Sequence, residues 1–177
     1  MSADRFDEIV RQNQRRIYRV IFLLVKDADT ADTLTQECFL RAYQKQASFR
    51  GECAISTWLL RIAVNLARDH VKNRRASFWR RLVGLDDNVE DTSSLHLVAP
   101  HSSPERALLA RETLQEVWSA VALLSPQQRT IFLLRFAEEM PLVEIAEVLG
   151  LKLGTVKAQL FRATNRVKEI VKGKPCS

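Results

Sequence analysis

The chain has 177 residues, 46% of them hydrophobic and 27% charged, with only five glycines and five prolines. That length can bury a core in one large or two small domains, and so few turn formers disfavour a turn-rich β fold. The formal charge of +6 is compatible with a polyanionic partner, and the apolar run from Val20 to Val25 is far too short to span a bilayer.

Taken in chain order, the apolar residues recur at helical spacing. Phe6, Ile9, Ile17, Val20, Ile21 and Leu24 give the inner face of a first helix. Asp27 or Asp29 caps a second, which runs to about Lys45. Residues 47–55 break the pattern around Gly51. Ser56 is the expected cap of a third helix that begins at Thr57 and turns Trp58, Leu59, Ile62 and Leu66 inward. Periodicity is lost from Ser77 to His101, where Asp86, Asp87, Glu90 and Asp91 form an acidic run. This reads as a linker, with an ordered loop carrying a short helix as the alternative. Ser103-Pro104-Glu105 restarts the helical pattern with a cap, a first-turn proline and an acid, and Leu108, Leu109, Leu114, Val117, Val121 and Leu124 follow. Ser125-Pro126 repeats that signal before Ile131, Phe132, Leu134 and Phe136.

The last segment is the most informative. Pro141, then Leu142, Ile145, Ala146 and Leu149, predict a short helix, which Gly150 ends in the left-handed conformation. Thr155 caps or opens the next helix, with Val156, Leu160, Ala163 and Val167 as its apolar stripe. Helix, tight turn and helix make the pattern of a DNA-reading helix-turn-helix. The expected fold is therefore all-α: two small helical domains, residues 1–76 and 105–177, joined by an acidic flexible linker at 77–104. The first block holds 14 Lys/Arg against 9 Asp/Glu, the linker 2 against 4, and the second block 11 against 8. Two basic blocks flank an acidic connector.

Several constellations bear on function. Arg61, Asn65, Arg68, Lys72 and Arg75 fall within about an 80° stripe of the third helix at 100° per residue. Such a ridge suits a phosphate backbone, and a solvated face accounts for it equally well. Phe49, beside Arg50 and Gly51, is a core plug or an aromatic that stacks on an unpaired base. Asp27, Asp29, Asp32, Gln36 and Glu37 make the second helix the acidic part of a basic domain, a solvated surface or a dock for a basic protein. On the final helix Ala158, Phe161, Arg162 and Asn165 point away from the apolar stripe, flanked by Lys157, Gln159 and Arg166. Arg and Gln reach base edges, Ala and Phe contact thymine methyls, and an outward Phe is costly on a bare surface.

Other chemistries find little support. The three cysteines, Cys38, Cys53 and Cys176, lack metal-ligand spacing, and no secretory signal is recognised, so reduced thiols in a cytoplasm are expected. His70, His96 and His101 join no carboxylate pair, phosphate-cradling loop or Cys/His cluster. No catalytic residue, metal, cofactor or small-molecule substrate is expected.

Together these segments resemble a bacterial sigma factor of the extracytoplasmic-function (ECF, group 4) type, from about Phe6 to Val171. The run from Asp27 through Cys38-Phe39-Leu40-Arg41-Ala42 looks like the region 2 segment that binds RNA polymerase core. Phe49-Arg50-Gly51, Thr57-Trp58-Leu59 and Arg61 to Asp69 look like the −10 reader. Leu124 to Arg129, Glu144-Ile145-Ala146 and Gly154 to Ala163 look like region 4. The resemblance implies that Asp32, Leu34, Gln36 and Glu37 dock on the β′ clamp coiled coil, with region 4 meeting the β flap. It implies that the loop with Phe49, and Asn65 behind it, hold a base flipped from the −10 strand while Arg61, Arg68 and Lys72 grip backbone, with Arg50 a further −10 contact. It assigns Thr155, Lys157, Ala158, Gln159, Phe161, Arg162 and Arg166 to the −35 element. It also implies control by an anti-sigma factor, and a cytoplasmic protein that such a factor holds at the inner membrane. Three positions depart from the family pattern. Thr33 stands where Asp is usual, Ala158-Gln159 replaces Ser-Arg, and Leu153 replaces a common Pro. The competing reading is a two-domain helix-turn-helix regulator that binds an operator without replacing sigma, but residues 1–76 show neither a receiver-like βαβ alternation nor a pocket pattern.

Overall fold

The computed structural model describes residues 3–49, 51–82 and 114–173. Among them are seven α-helices and no strand: α1 (Ala3–Val25), α2 (Ala28–Lys45), α3 (Ile55–Leu82), α4 (114–122), α5 (Pro126–Phe136), α6 (Leu142–Leu149) and α7 (Leu153–Lys172). A single 3₁₀ turn, Gln46–Ser48, follows α2. The chain divides into two compact units, the first built on α1–α3 and the second on α4, α5, α7 and the first turns of α6.

In the first unit each of the three helices packs on the other two. Ile17, Val20 and Ile21 of α1 and Leu59, Leu60, Ala63 and Val64 of α3 are at most 1% exposed. The α2 stripe Ala31, Thr35, Cys38, Phe39 and Ala42 repeats at helical spacing and completes the core. Asp27 is the cap of α2, its Oδ1 accepting the Thr30 N–H at 2.7 Å. The Thr30 hydroxyl and amide, and more weakly Arg74 and His70, hold its carboxyl below the usual carboxylate range. Thr35 returns its hydroxyl to the Ala31 carbonyl at 2.7 Å, so this buried polar group is satisfied. Cys38 is fully buried with its thiol 3.6 Å from the Leu59 carbonyl, and burial pushes that thiol up to about 12.

Two expectations are corrected. Helix α3 begins at Ile55, so Ser56 lies inside its first turn and is not the cap. The same helix runs to Leu82 and takes in the first six residues of the expected linker. The stretch from Glu52 to Val83 contains no Gly or Pro, so nothing in the backbone chemistry stops it. The rest of the expected linker, Ser103-Pro104-Glu105, His96, His101 and Cys176 lie outside the described residues.

In the second unit Ser125 caps α5 with a full capping box. Its hydroxyl accepts the Gln128 N–H at 3.3 Å and Gln128 Oε1 accepts the Ser125 N–H at 3.4 Å. Ile131, Leu134, Met140 and Ile145, each at most 1% exposed, form the core with Val121, Val156 and Ala163. No described helix is long and apolar enough to cross a membrane.

Candidate nucleic-acid interface

The helix-turn-helix is set by a short series of backbone bonds. The Ile145 N–H reaches the Pro141 carbonyl at 3.0 Å, which starts α6 just after the proline. Gly150 ends it with a φ of 64°. The Gly150 N–H meets the Glu147 carbonyl at 3.3 Å and the Leu151 N–H meets the Ala146 carbonyl at 2.9 Å, the two bonds of a Schellman motif. Lys152, extended at φ −69° and ψ 141°, then caps α7 with its backbone alone. Thr155 is the third residue of that helix and caps nothing, its N–H bonding the Lys152 carbonyl at 2.9 Å.

Only Val156, Ala163 and Val167 of α7 are buried. Ala158, Phe161, Arg162 and Asn165 lie opposite them, and Phe161 is 68% exposed. Ala158, Arg162, Thr155, Lys157 and Arg166 are also exposed, while Gln159, Leu160 and Asn165 are half-buried. Arg166 lies 3.6 Å from Glu169 in a solvent-exposed pair, too weak to hold it from a phosphate. The outer face of α7 thus offers two guanidiniums, an ammonium, an amide and a bare aromatic ring.

Two arginines that the sequence reading passed over fix the elements behind this face. The Arg129 guanidinium collects the carbonyls of Val121, Ala122 and Leu124, the open end of α4, and so ties α4 to α5. Arg135 Nη1 donates to the Met140 carbonyl at 3.1 Å and holds the turn that leads into α6. Within that turn Glu139 has a φ of 53°, a left-handed conformation without a glycine.

In the first unit, Arg61, Asn65, Arg68 and Lys72 are exposed along one stripe of α3, with Leu59, Leu60, Ala63, Val64, Leu66 and Ala67 buried on the other side. The Arg75 side chain and Arg50 lie outside the described residues. Phe49 is half-buried and its ring leans on Trp58, centroids 5.0 Å apart. Gly51, with a φ of 74° and open space where a Cβ would stand, reverses the chain between them. Phe49 is therefore a partly open ring braced by a second ring, not a sealed core plug.

On α2, Asp32 and Gln36 are exposed and Leu34 and Glu37 half-buried. Arg41 Nε donates to Glu37 Oε1 at 2.6 Å. Thr33 is exposed and turns its hydroxyl back to the Asp29 carbonyl at 2.9 Å. Leu40, 51% exposed, and Tyr43, 49%, lie on the same outward face as Gln36. The sequence reading missed this apolar continuation because two residues at a helix end give no periodic signal.

A Sigma-70 region 2 family model matches residues 9–77 and a Sigma-70 region 4 model matches residues 114–167. The RNA polymerase sigma-H factor of Pseudomonas aeruginosa is 35% identical over 165 residues, covering 92% of this chain and 83% of that protein. The chain belongs to the ECF RNA polymerase sigma factors. Other members place it equally well. SigW of Bacillus subtilis is 30% identical, covering 95% of this chain and 89% of that protein. The sigma-E factor of Escherichia coli K12 is 31% identical, covering 94% and 88%. The fold matches Bartonella quintana RpoE, solved with the anti-sigma factor NepR, at 22% identity and a TM-score of 0.70 over 98% of this chain and all of that one. It matches CnrH, solved with the cytosolic domain of CnrY, at 21% identity and a TM-score of 0.68 over 98% and 92%. This sigma factor thus directs promoter-specific transcription initiation, and the region 2 match across its first unit decides against an operator-binding regulator. Among the described residues no group of three His, Cys, Asp or Glu side chains is arranged to hold a metal ion.

Proposed function

We propose that residues 1–76 act as region 2, residues 105–177 as region 4, and residues 77–104 as the connector between them. The observation that supports this most directly is Phe161, 68% exposed at the centre of a basic helix face. Burying such a ring against a thymine methyl recovers apolar area that water otherwise surrounds, roughly 25 cal/mol per Å². Arg162 and Lys157 supply donors for base edges, Gln159 an amide suited to adenine, and Thr155 and Arg166 reach phosphates at the two ends. Ala158 and Gln159 stand where the family pattern has Ser and Arg, so this chain trades a guanidinium for an amide and a methyl. Its −35 preference shifts from guanine toward A·T pairs accordingly.

In region 2, the α3 ridge of Arg61, Arg68 and Lys72 grips the backbone of the −10 segment. Arg50 is a further cation of the −10 contact. Phe49, braced by Trp58, and Asn65 receive one unstacked base, the ring by stacking and the amide by hydrogen bonding. Asp32, Gln36 and Glu37, with Leu34 and the open Leu40 and Tyr43, dock on the β′ clamp coiled coil of core polymerase, while region 4 meets the β flap. Thr33 removes one carboxylate from that face and lowers core affinity. An anti-sigma factor covers these surfaces in the resting cell, and the protein is cytoplasmic, held at the inner membrane when that factor is membrane-bound.

Run-off transcription with purified core polymerase and a library of promoter fragments tests the reading. Transcripts that need the protein and share a two-element motif are expected. Arg162→Ala weakens −35-dependent promoters, and Phe49→Ala or Asn65→Ala impairs opening more than closed-complex binding. Unchanged transcription from the cognate promoter with Arg162→Ala overturns the base-reading assignment.

A further inference from the structure

Helix α1 carries a second mixed surface, outside all the residues considered so far. Arg11, Arg15, Tyr18 and Phe22 are spaced i, i+4, i+7 and i+11 and fall within about a 60° arc of the helix at 100° per residue. This arc lies away from the core residues Ile17, Val20, Ile21 and Leu24. Arg11 and Arg15 are exposed and make no ion pair or hydrogen bond among the described residues. Tyr18 and Phe22 are half-buried and stacked, with centroids 6.0 Å apart and planes 11° from parallel. The nearby acids do not neutralise the stripe. Glu8 accepts a hydrogen bond from Gln12 at 2.7 Å, and neither Glu8 nor Asp7 pairs with an arginine of the arc.

We infer that this stripe of α1 is a binding track for single-stranded DNA, separate from the α3 ridge. Two unpaired guanidiniums beside a parallel ring pair match the two halves of a nucleotide. The guanidiniums meet phosphates, and the rings offer π-faces to unpaired bases. A duplex satisfies only the first half, because its bases are already stacked. The track spans eleven residues, roughly 16 Å along the helix, enough for two or three extended nucleotides. A merely solvated face has no need of two stacked, half-buried rings in line with its cations. The inference uses the promoter-opening reading only for the source of the strand, and the test below separates the two.

The test measures anisotropy of a labelled oligo-dT 12-mer and of a duplex of equal length, with the full chain, across a salt series. The stripe variants are compared with a ridge variant, Arg61→Ala/Arg68→Ala/Lys72→Ala. Arg11→Ala/Arg15→Ala makes the single-strand salt dependence shallower by about 1.4 in log–log slope, two phosphates at roughly 0.7 each. Tyr18→Leu/Phe22→Leu, which keeps apolar bulk, weakens single-strand binding at least about five-fold without changing the slope. Arg11→Lys/Arg15→Lys and Tyr18→Phe restore both, and the duplex is insensitive to the ring variant. Single-strand affinity unchanged in both stripe variants overturns the inference. So does loss with the arginine variant but none with the ring variant, which reduces the stripe to bulk charge. Loss only in the ridge variant overturns this inference and leaves the promoter reading standing. Loss only in the stripe variants supports it and counts against the ridge.

Discussion

Replacing Asp27 with alanine probes how far helix α2 depends on one carboxylate. Asp27 accepts the Thr30 N–H at 2.7 Å, and it lies at the positive end of an 18-residue helix. Losing an N-cap of this kind costs about 1 kcal/mol within a range of 0.5–2. The charge adds roughly 0.3–1 kcal/mol through the helix dipole, and this part is screened by salt. Asp27→Ala should therefore speed hydrogen exchange at the Thr30 amide roughly 5- to 30-fold, about 1–2 kcal/mol at 1.4 kcal/mol per decade. Asp27→Asn keeps the cap and loses only the charge, so its exchange should rise less than the alanine variant's. The pH dependence separates the two contributions. The folded-state pKa of Asp27 lies below its unfolded value, so its stabilisation is present above about pH 4 and is lost as pH falls through the lowered folded value. The wild type should lose this increment on acidification and the Asn variant should not. Exchange at Thr30 within experimental scatter of wild type in Asp27→Ala, at neutral pH and low salt, would refute the reasoning. It would mean that tertiary packing of α2, not its cap, holds the first turn.

Further outcomes follow from other sites. Glu139→Gly removes a left-handed side chain at φ 53° and should raise urea stability of the second unit by about 0.5–1 kcal/mol. Gly150→Ala meets no atom within 4 Å, so its cost is backbone strain alone, roughly 1–2 kcal/mol, read as a lower urea midpoint. Arg129→Met leaves the carbonyls of Val121, Ala122 and Leu124 without their guanidinium and should destabilise the second unit by about 1–3 kcal/mol, measured by thermal unfolding. In native protein at pH 8, iodoacetamide should modify the half-buried Cys53 well before Cys38, whose thiol stays protonated until about 12. Mapping the modified peptides by mass spectrometry checks this.

What was legible in the sequence was local. A cap at Asp27 or Asp29, a cap at Ser125 ahead of Pro126 and a left-handed Gly150 each depend on residues within three or four positions; the structure takes Asp27 of the two acids and adds a capping box with Gln128 at Ser125. The burial of Val156, Ala163 and Val167, and the exposure of Phe161, follow from one helical period. The errors are also instructive. The hydroxyls suggest Ser56 as a cap and Thr155 as a cap or opening residue, yet α3 starts before Ser56 and α7 is capped by the extended backbone of Lys152, three residues before Thr155. A hydroxyl lowers the cost of a helix start, but any residue able to take extended backbone can provide one. The end of α3 was placed at the loss of apolar periodicity. Periodicity reports a buried face, whereas a helix persists wherever no breaker interrupts it. The pairing of Phe49 with Trp58 was hidden because it depends on a chain reversal at Gly51. The Arg129 clamp was hidden because its acceptors are backbone atoms, which carry no letter in the sequence.

The economy of α7 has an evolutionary consequence. Three small buried side chains, Val156, Ala163 and Val167, anchor a helix of 20 residues. The positions on its opposite side have almost no part in holding the domain together. On the proposal that this face reads the −35 element, substitutions at Ala158, Phe161 or Arg162 should therefore leave the folded population nearly intact while rewriting which promoter is read. A lineage can drift from one set of target genes to another through single replacements, each carried by a fully folded protein. Duplicated copies of such a factor can part company in this way without passing through an unstable ancestor.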